Sequence, residues 1–515
     1  MLKRVGPVLA GLALVGALAI AVPTATGHPE ECSEAAAWSN GTGYSPYASW
    51  EGAEKSVCVS ESVQQRYDDS KALLATEGAE GTKNLKLLSS NPKPTPFESE
   101  GALNSDLAFE DGYAYQGNYN GVSIWNVKEP ENPVLVNVIE CLGSQNDVTV
   151  NDGILITSTD SRRVSSACDA PATTTGGSAN PDPPTVWEGL RVWDVNDKQN
   201  PKLLTTVRTD CGSHTHTVIP QADRLLVYVS SYDVGAGRYE CSNAAGNLSH
   251  DKISVVEVPK SAPATAKVIN EPVLFPDGGN PGENAPGSTR RQTAGCHDIT
   301  VYPEKGIAAG ACTGEGVIMD ITDPVNPKVI ASREDENFAF WHSATISHDG
   351  SKVLFTDERG GGSGAECNPT VGPNKGADAI YDITDRENPR FLSYWKMPRA
   401  QANSENCVAH NGNLLPTRDR DVMVQAWYQG GVSVIDWTDG TDVKELAWFD
   451  RGPYADRVPP GPLAGSWSSY WYNGKIYSNE IQRGFDVLNL TGPARANTGG
   501  KLPYLNAQTQ EPLRK

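Results

Sequence analysis

Apolar and polar residues alternate in short runs closed by Gly, Pro, Asn or Asp. This period-two pattern predicts strands and tight turns, with almost no helix. One design recurs in GVSIWNVKEPENP (121–133), GLRVWDVNDKQNP (189–201), GVIMDITDPVNP (316–327) and AIYDITDRENP (379–389). Weaker copies are KISVVEVPKS (252–261), GVSVIDWTDGTD (431–442) and RGFDVLNLTG (483–492), which makes seven. Each is an apolar strand ending on an acidic residue or Asn, followed by a polar turn. Four of the turns close on Asn-Pro (132–133, 200–201, 326–327 and 388–389), where Asn caps the turn and Pro fixes φ.

Upstream of every copy lies a hairpin pattern, for example VTVNDGILITS, TISHDGSKVLFTD and SYWYNGKIYSNE, with Asn-Asp-Gly, His-Asp-Gly and Tyr-Asn-Gly at the turns. Two hairpin strands, the marker strand and one following strand make a four-stranded blade. Seven such blades predict an all-β fold, a seven-bladed β-propeller. The last blade lacks a fourth strand of its own, and NLKLLSSNP (84–92) fits the vacancy, so the N-terminal strand is expected to close the ring. The boundaries that follow are a signal peptide at 1–27, a partly helical extension at 28–83 (helix over 60–75), the propeller at 84–492 and a C-terminal tail at 493–515.

On these strands and their acidic-x-Asn-Pro turns, residues 100–490 resemble the bacterial LVIVD-repeat family, named for the strand written here GVSIWNV, GLRVWDV and GVSVIDW. The ending WSSYWYNGKIYSNEIQRGFDVLNL is similar to exported actinobacterial members. The resemblance implies a secreted or surface propeller and transfers no catalytic motif.

The first residues point to export as well. Lys3 and Arg4 precede an apolar run with small residues at Ala25 and Gly27, which suits signal cleavage before His28. The run is at the short end for a retained membrane anchor, and no other segment could cross a bilayer. A net charge of −20 with no basic stripe excludes nucleic acid as a partner and disfavours anionic membranes.

In an oxidising compartment ten cysteines read as disulfides. Cys141, Cys211 and Cys296 precede the innermost strands of blades 2, 3 and 4, while Cys168, Cys241 and Cys312 follow the second strands. Antiparallel pairing puts these positions on one rim. The predicted bridges are Cys141–Cys168, Cys211–Cys241 and Cys296–Cys312 within blades, Cys367–Cys407 between blades 5 and 6, and Cys32–Cys58 in the extension.

His214, His297, His342 and His410 share one register at the start of innermost strands in blades 3 to 6, and Asn146 holds that register in blade 2. Innermost strands converge on the channel, so four imidazoles could meet there and hold a divalent transition metal, iron, copper or zinc. The same register also suits a repeated structural hydrogen bond. Asp160, Asp233, Asp357, Glu358 and Glu480 near second-strand ends add carboxylates to this rim. Trp187, Trp341, Trp427, Tyr428 and Trp467 also map near it and could stack on a sugar or peptide. The insertions 165–189, 235–251 and 360–378 rise from the same side, and Gly360–Gly364 reads as a flexible loop rather than a phosphate cradle.

Two functions remain. One is a secreted module binding an extracellular protein or glycan. The other is a metal-dependent oxidoreductase, an arrangement that resembles carotenoid-cleaving oxygenases in architecture alone. A hydrolase finds no support, since neither Gly-x-Ser-x-Gly nor His-Glu-x-x-His occurs.

Overall fold

The computed structural model describes residues 79–173, 183–232, 241, 250–283, 291–454 and 463–513. The signal segment, the 60–75 helix, Cys32–Cys58 and Asp233 lie outside them. Among the described residues the elements are strands and three short 3-10 helices, and no helix is long and apolar enough to cross a membrane.

Seven antiparallel sheets form the predicted blades. Their innermost strands, in order, are Asn104–Glu110, Val148–Asn151, Thr215–Pro220, Asp298–Tyr302, Trp341–Ile346, Gly412–Leu414 and Ser466–Tyr472. Strand Leu85–Asn91 pairs antiparallel with Gly484–Leu490 and supplies the outer strand of blade 7. The third and fourth strands of all seven blades are offset by an irregularity in register. Such bulges increase the local twist, which splays each blade from the channel outwards.

The core is distributed. Seven apolar clusters are each shared by two adjacent blades, from blades 1 and 2 round to blades 7 and 1. Both faces of each blade are therefore apolar, which is why the marker strands read as nearly continuous hydrophobic runs.

The repeated turns have a common chemistry. In blade 4, Asp320 Oδ1 accepts from the Thr322 amide at 2.9 Å, Asp323 Oδ1 accepts from the Val325 amide at 3.1 Å, and the Asn326 side chain donates to Asp323 Oδ2 at 2.8 Å. Blade 5 repeats this with Asp382, Asp385 and Asn388. In blades 2, 4 and 5 the Asn before Pro thus braces the Asp three residues earlier.

Both ends of the described chain differ from the expected boundaries. Glu80–Gly81 already joins the ring, pairing with the outer strand of blade 6, Lys444–Asp450. The tail is part of the ring as well: Tyr504–Asn506 pairs with the innermost strand of blade 1. It then crosses the channel, and its polar groups meet free inner-strand edges. Asn506 holds both the N–H and the C=O of Val150 at 2.8 and 2.9 Å, and Thr509 donates to the Val218 carbonyl. The Gln508 carbonyl and the Gln510 amide bracket Val301 at 2.8 Å each, and the Gln510 side chain brackets Ile346 at 2.7 and 2.6 Å. These contacts lie toward the ends of the inner strands, away from the histidines at their starts. The segment YLNAQTQ carries no apolar alternation, so its pairing had no periodic signal.

Asn506 is 1% exposed and satisfies two backbone groups. Replacing it with Ala strands both, so Asn506→Ala is expected to cost about 2–6 kcal/mol in urea unfolding, at roughly 1–3 kcal/mol per buried orphan.

Candidate functional site

Each histidine in the register begins or opens an innermost strand. The His214, His297 and His410 amides bond back to the second strand of their own blade, at the carbonyls of Ser230, Ala311 and Ala426. Convergence of these strands brings the rings together. Centroids are 4.4 Å apart for His214 and His297, 4.0 Å for His297 and His342, and 4.2 Å for His342 and His410. All four are buried. Asn146 in blade 2 plays a structural part, bonding the carbonyls of Asn118 and Cys141.

The outer nitrogens set the tautomers. His214 Nδ1 lies 2.7 Å from Asp160 Oδ2, His297 Nδ1 lies 3.1 Å from the His342 carbonyl, and His410 Nδ1 meets the Trp467 carbonyl. A carbonyl or carboxylate only accepts, so each Nδ1 carries a hydrogen, and in the neutral ring Nε2 then turns a lone pair inward. His214 Nε2 and His297 Nε2 are 2.8 Å apart. His410 Nε2 and His342 Nδ1 have no hydrogen-bond partner. Burial, with the neighbouring imidazoles, holds His297 and His342 well below the usual histidine range, and burial takes His410 down to about 3. Burial therefore favours the neutral form of these three rings.

Glu358 follows the second strand of blade 5, Lys352–Asp357, and enters the same space. Its Oε1 is 3.6 Å from His410 Nε2 and its Oε2 is 3.9 Å from His342 Nε2. His297, His342 and Glu358 offer atoms mutually close enough to hold one metal ion. Burial raises the Glu358 carboxyl to about 7, against a hydrogen bond from the Tyr428 hydroxyl at 2.5 Å.

Other candidate residues separate by position. Tyr428 and Trp467 pack on His410 at 4.5 and 5.1 Å. Trp341 and Trp427, 1% and 0% exposed, sit in the packing between blades, and Trp187 is buried against Arg191. Glu480 is satisfied by the amides of Gly465, Gln482 and Arg483 and by the Arg483 side chain. Asp357 pins the Ala339, Phe340 and Gly376 amides. A third group, Asp210, Cys211 and His250, is also close-packed, but Cys211 is in a disulfide and Lys252 sits 2.7 Å from Asp210.

Tyr119, Tyr232 and Phe340 had not been singled out, yet they complete an aromatic layer over the imidazoles. Tyr232 is 4.7 Å from His214, Phe340 is 5.4 Å from His297, and Tyr119 meets Trp467 edge-on at 6.3 Å. The legible signal was positional: Tyr119, Tyr232, Glu358 and Tyr428 lie just past the ends of second strands, and Asp160 follows Thr159, where the regular pairing of its strand breaks.

The four described disulfides match the predicted pairing, Cys141–Cys168, Cys211–Cys241, Cys296–Cys312 and Cys367–Cys407. The 360–378 insertion is pinned rather than loose. Cys367 ties it to blade 6, and the Lys396 ammonium donates to the carbonyls of Glu366, Gly372 and Lys375 at 2.6, 3.0 and 2.6 Å.

No protein-family model and no curated protein matches the chain. Among solved structures it is similar to a Bacteroides uniformis protein provisionally assigned as a 6-phosphogluconolactonase, at 11% identity over 73% of this chain and 89% of that one, TM-score 0.43. It is similar to Saccharomyces cerevisiae Sqt1 at 9% identity, over 76% and 84%, TM-score 0.43. For the WD40 propeller domain of Doa1 the values are 11%, 80% and 99%, with TM-score 0.42. Likenesses this distant carry no functional argument.

Two outcomes test this loop region. The Cys367→Ser/Cys407→Ser variant, opening a 40-residue separation, is expected to lose about 4 kcal/mol in guanidinium unfolding. Glu405 is 1% exposed, and burial raises its carboxyl to about 7, so folding favours its neutral form. That contribution is full below the unfolded value of about 4.3 and is lost as pH rises through 7. The thermal midpoint of Glu405→Gln should therefore fall less than that of the parent between pH 5 and 7.5.

Proposed function

We propose that this chain is a secreted LVIVD-type propeller that binds a transition metal at the mouth of its channel through His214, His297, His342 and His410. The observation that carries the reading is the 2.8 Å approach of His214 Nε2 to His297 Nε2. With both Nδ1 atoms committed to acceptors, the neutral pair turns two lone pairs on each other unless a proton or a cation lies between them, and a metal ion at that point takes both. Two donors bound at 2.0–2.1 Å to one ion stand about 2.9–3.4 Å apart at ordinary coordination angles, close to this separation. Neutral imidazoles suit iron, copper and zinc over calcium or magnesium. Asp160 would orient one ligand, as carboxylates commonly do behind metal-bound histidine. Such a nitrogen set supports oxidoreduction. Four disulfides accord with a place outside the cell.

A second reading, recognition of an extracellular protein or glycan, draws support from the disulfide-tied insertions on the same rim. It loses support from Trp341 and Trp427, which the blades bury.

The test is metal content by mass spectrometry on protein exported by its own signal and never exposed to chelator. Near-stoichiometric metal is expected, falling below a tenth in a folded His297→Ala/His342→Ala variant. Metal-free protein that takes up neither iron, copper nor zinc on dialysis would end the reading, as would a variant that kept its metal.

A further inference from the structure

Resting on that metal site, we propose that Glu358 is a fifth ligand and Tyr428 the residue that positions it, so that the centre takes a divalent 3d cation in a four-nitrogen, one-oxygen set. Glu358 is 7% exposed, and among the described residues its only ion-pair partners are His342 and His410. The Arg291 guanidinium attracts it only from beyond ion-pair reach, so a buried carboxylate facing imidazole nitrogens lacks a paired cation, and a dication at their common centre supplies one. Donors 2.0–2.2 Å from one ion stand about 2.8–3.6 Å apart over right-angled to tetrahedral geometry. The 3.6 Å from Glu358 Oε1 to His410 Nε2 meets that range, while His342 Nε2 stands 3.9 Å from the other oxygen, Oε2, a few tenths beyond it, so the carboxylate must turn slightly to present one oxygen to both.

The surroundings of Glu358 are built to hold it. Tyr428 has φ of +52°, a left-handed backbone that a bulky residue rarely adopts. It is kept there by reciprocal bonds with Ser466, at 3.1 and 2.8 Å, and by the Gly431 amide. This conformation sends its hydroxyl to Glu358 Oε1. Above the pair lies a turn in which Gly360, Gly361 and Gly362 all have positive φ, of 79°, 59° and 71°. A Cβ on Gly362 would stand 2.3 Å from the Tyr428 hydroxyl and 2.8 Å from Glu358 Oε1. Strained backbone maintained by its surroundings concentrates at functional sites. Here the strain and the glycines converge on one carboxylate.

An anionic oxygen donor strengthens the hold on a hard dication and adds little for soft Cu(I), for which four imidazoles already suffice. Loss of an outer positioning group typically costs 10–100-fold in metal affinity.

The experiment is titration of metal-free protein with Co(II), read by visible absorption, beside competition with a Cu(I) chelator. The parent is expected to bind one Co(II) with the weak bands of five-coordination. Glu358→Gln should bind at least tenfold more weakly, with intensified, tetrahedral-type bands, while Cu(I) affinity changes less than threefold. Tyr428→Phe, which removes one hydroxyl from a packed ring, should move the Co(II) spectrum the same way. Binding by Glu358→Gln with unchanged spectrum and affinity overturns the fifth ligand, and an unchanged spectrum in Tyr428→Phe overturns its role. A parent that binds neither Co(II) nor Cu(I) removes the four-histidine centre itself, a different failure.

Discussion

A blade with two apolar faces cannot stand in water, and everything else in this molecule follows from that. Each of its faces is covered only by a neighbouring blade, so seven wedges of side chains replace a single core. Burial at about 25 cal/mol per Å² drives every wedge, but it acts fully only when the ring has no open end. The last wedge, between blades 7 and 1, draws Leu107, Phe109, Tyr470, Tyr477 and Phe485 together. Bulged outer strands splay the blades outwards, and their inner strands are crowded onto the axis. The imidazole cluster is a by-product of that crowding: His214, His297, His342 and His410 are positioned by ring geometry.

The architecture was legible because it repeats. Strand runs such as GVIMDITDPVNP announce a buried strand and a braced turn, and seven copies leave few other topologies. Disulfide pairing was legible for the same reason, since Cys141 and Cys168 occupy equivalent ends of adjacent antiparallel strands. The histidine register could be read from alignment of the repeats, but its neighbours could not. Tyr119 and Tyr232 are ordinary residues at strand ends, and only closure of the ring brings them over the cluster. Trp341 and Trp427 illustrate the opposite case: they sit beside the right rim in sequence, yet the twist of their blades turns them into the packing. Residues 504–510 had no alternating pattern because their bonds are made by amide side chains and backbone rather than by an apolar face.

The site combines two environments usually kept apart. Below the aromatic layer the rings are buried, which favours the neutral form of His297, His342 and His410 and leaves a carboxylate such as Glu358 with little solvent. Hydrogen bonds to Asp160 and to the backbone carbonyls of His342 and Trp467 place a proton on Nδ1 of His214, His297 and His410. The rigidity of three of the rings thus comes from blades other than their own, and the orientation of each of those rings reports on the seating of its neighbour.

Repeat proteins ordinarily come apart one unit at a time, because each unit touches only the next. The strand and amide bonds of residues 504–510 touch blades 1 to 5 at once. Opening any one of those blades must break the strap that also secures the other four. The ring therefore behaves as one cooperative body rather than as an array, and the fraying that would let a protease enter at a single blade is suppressed across most of the circumference.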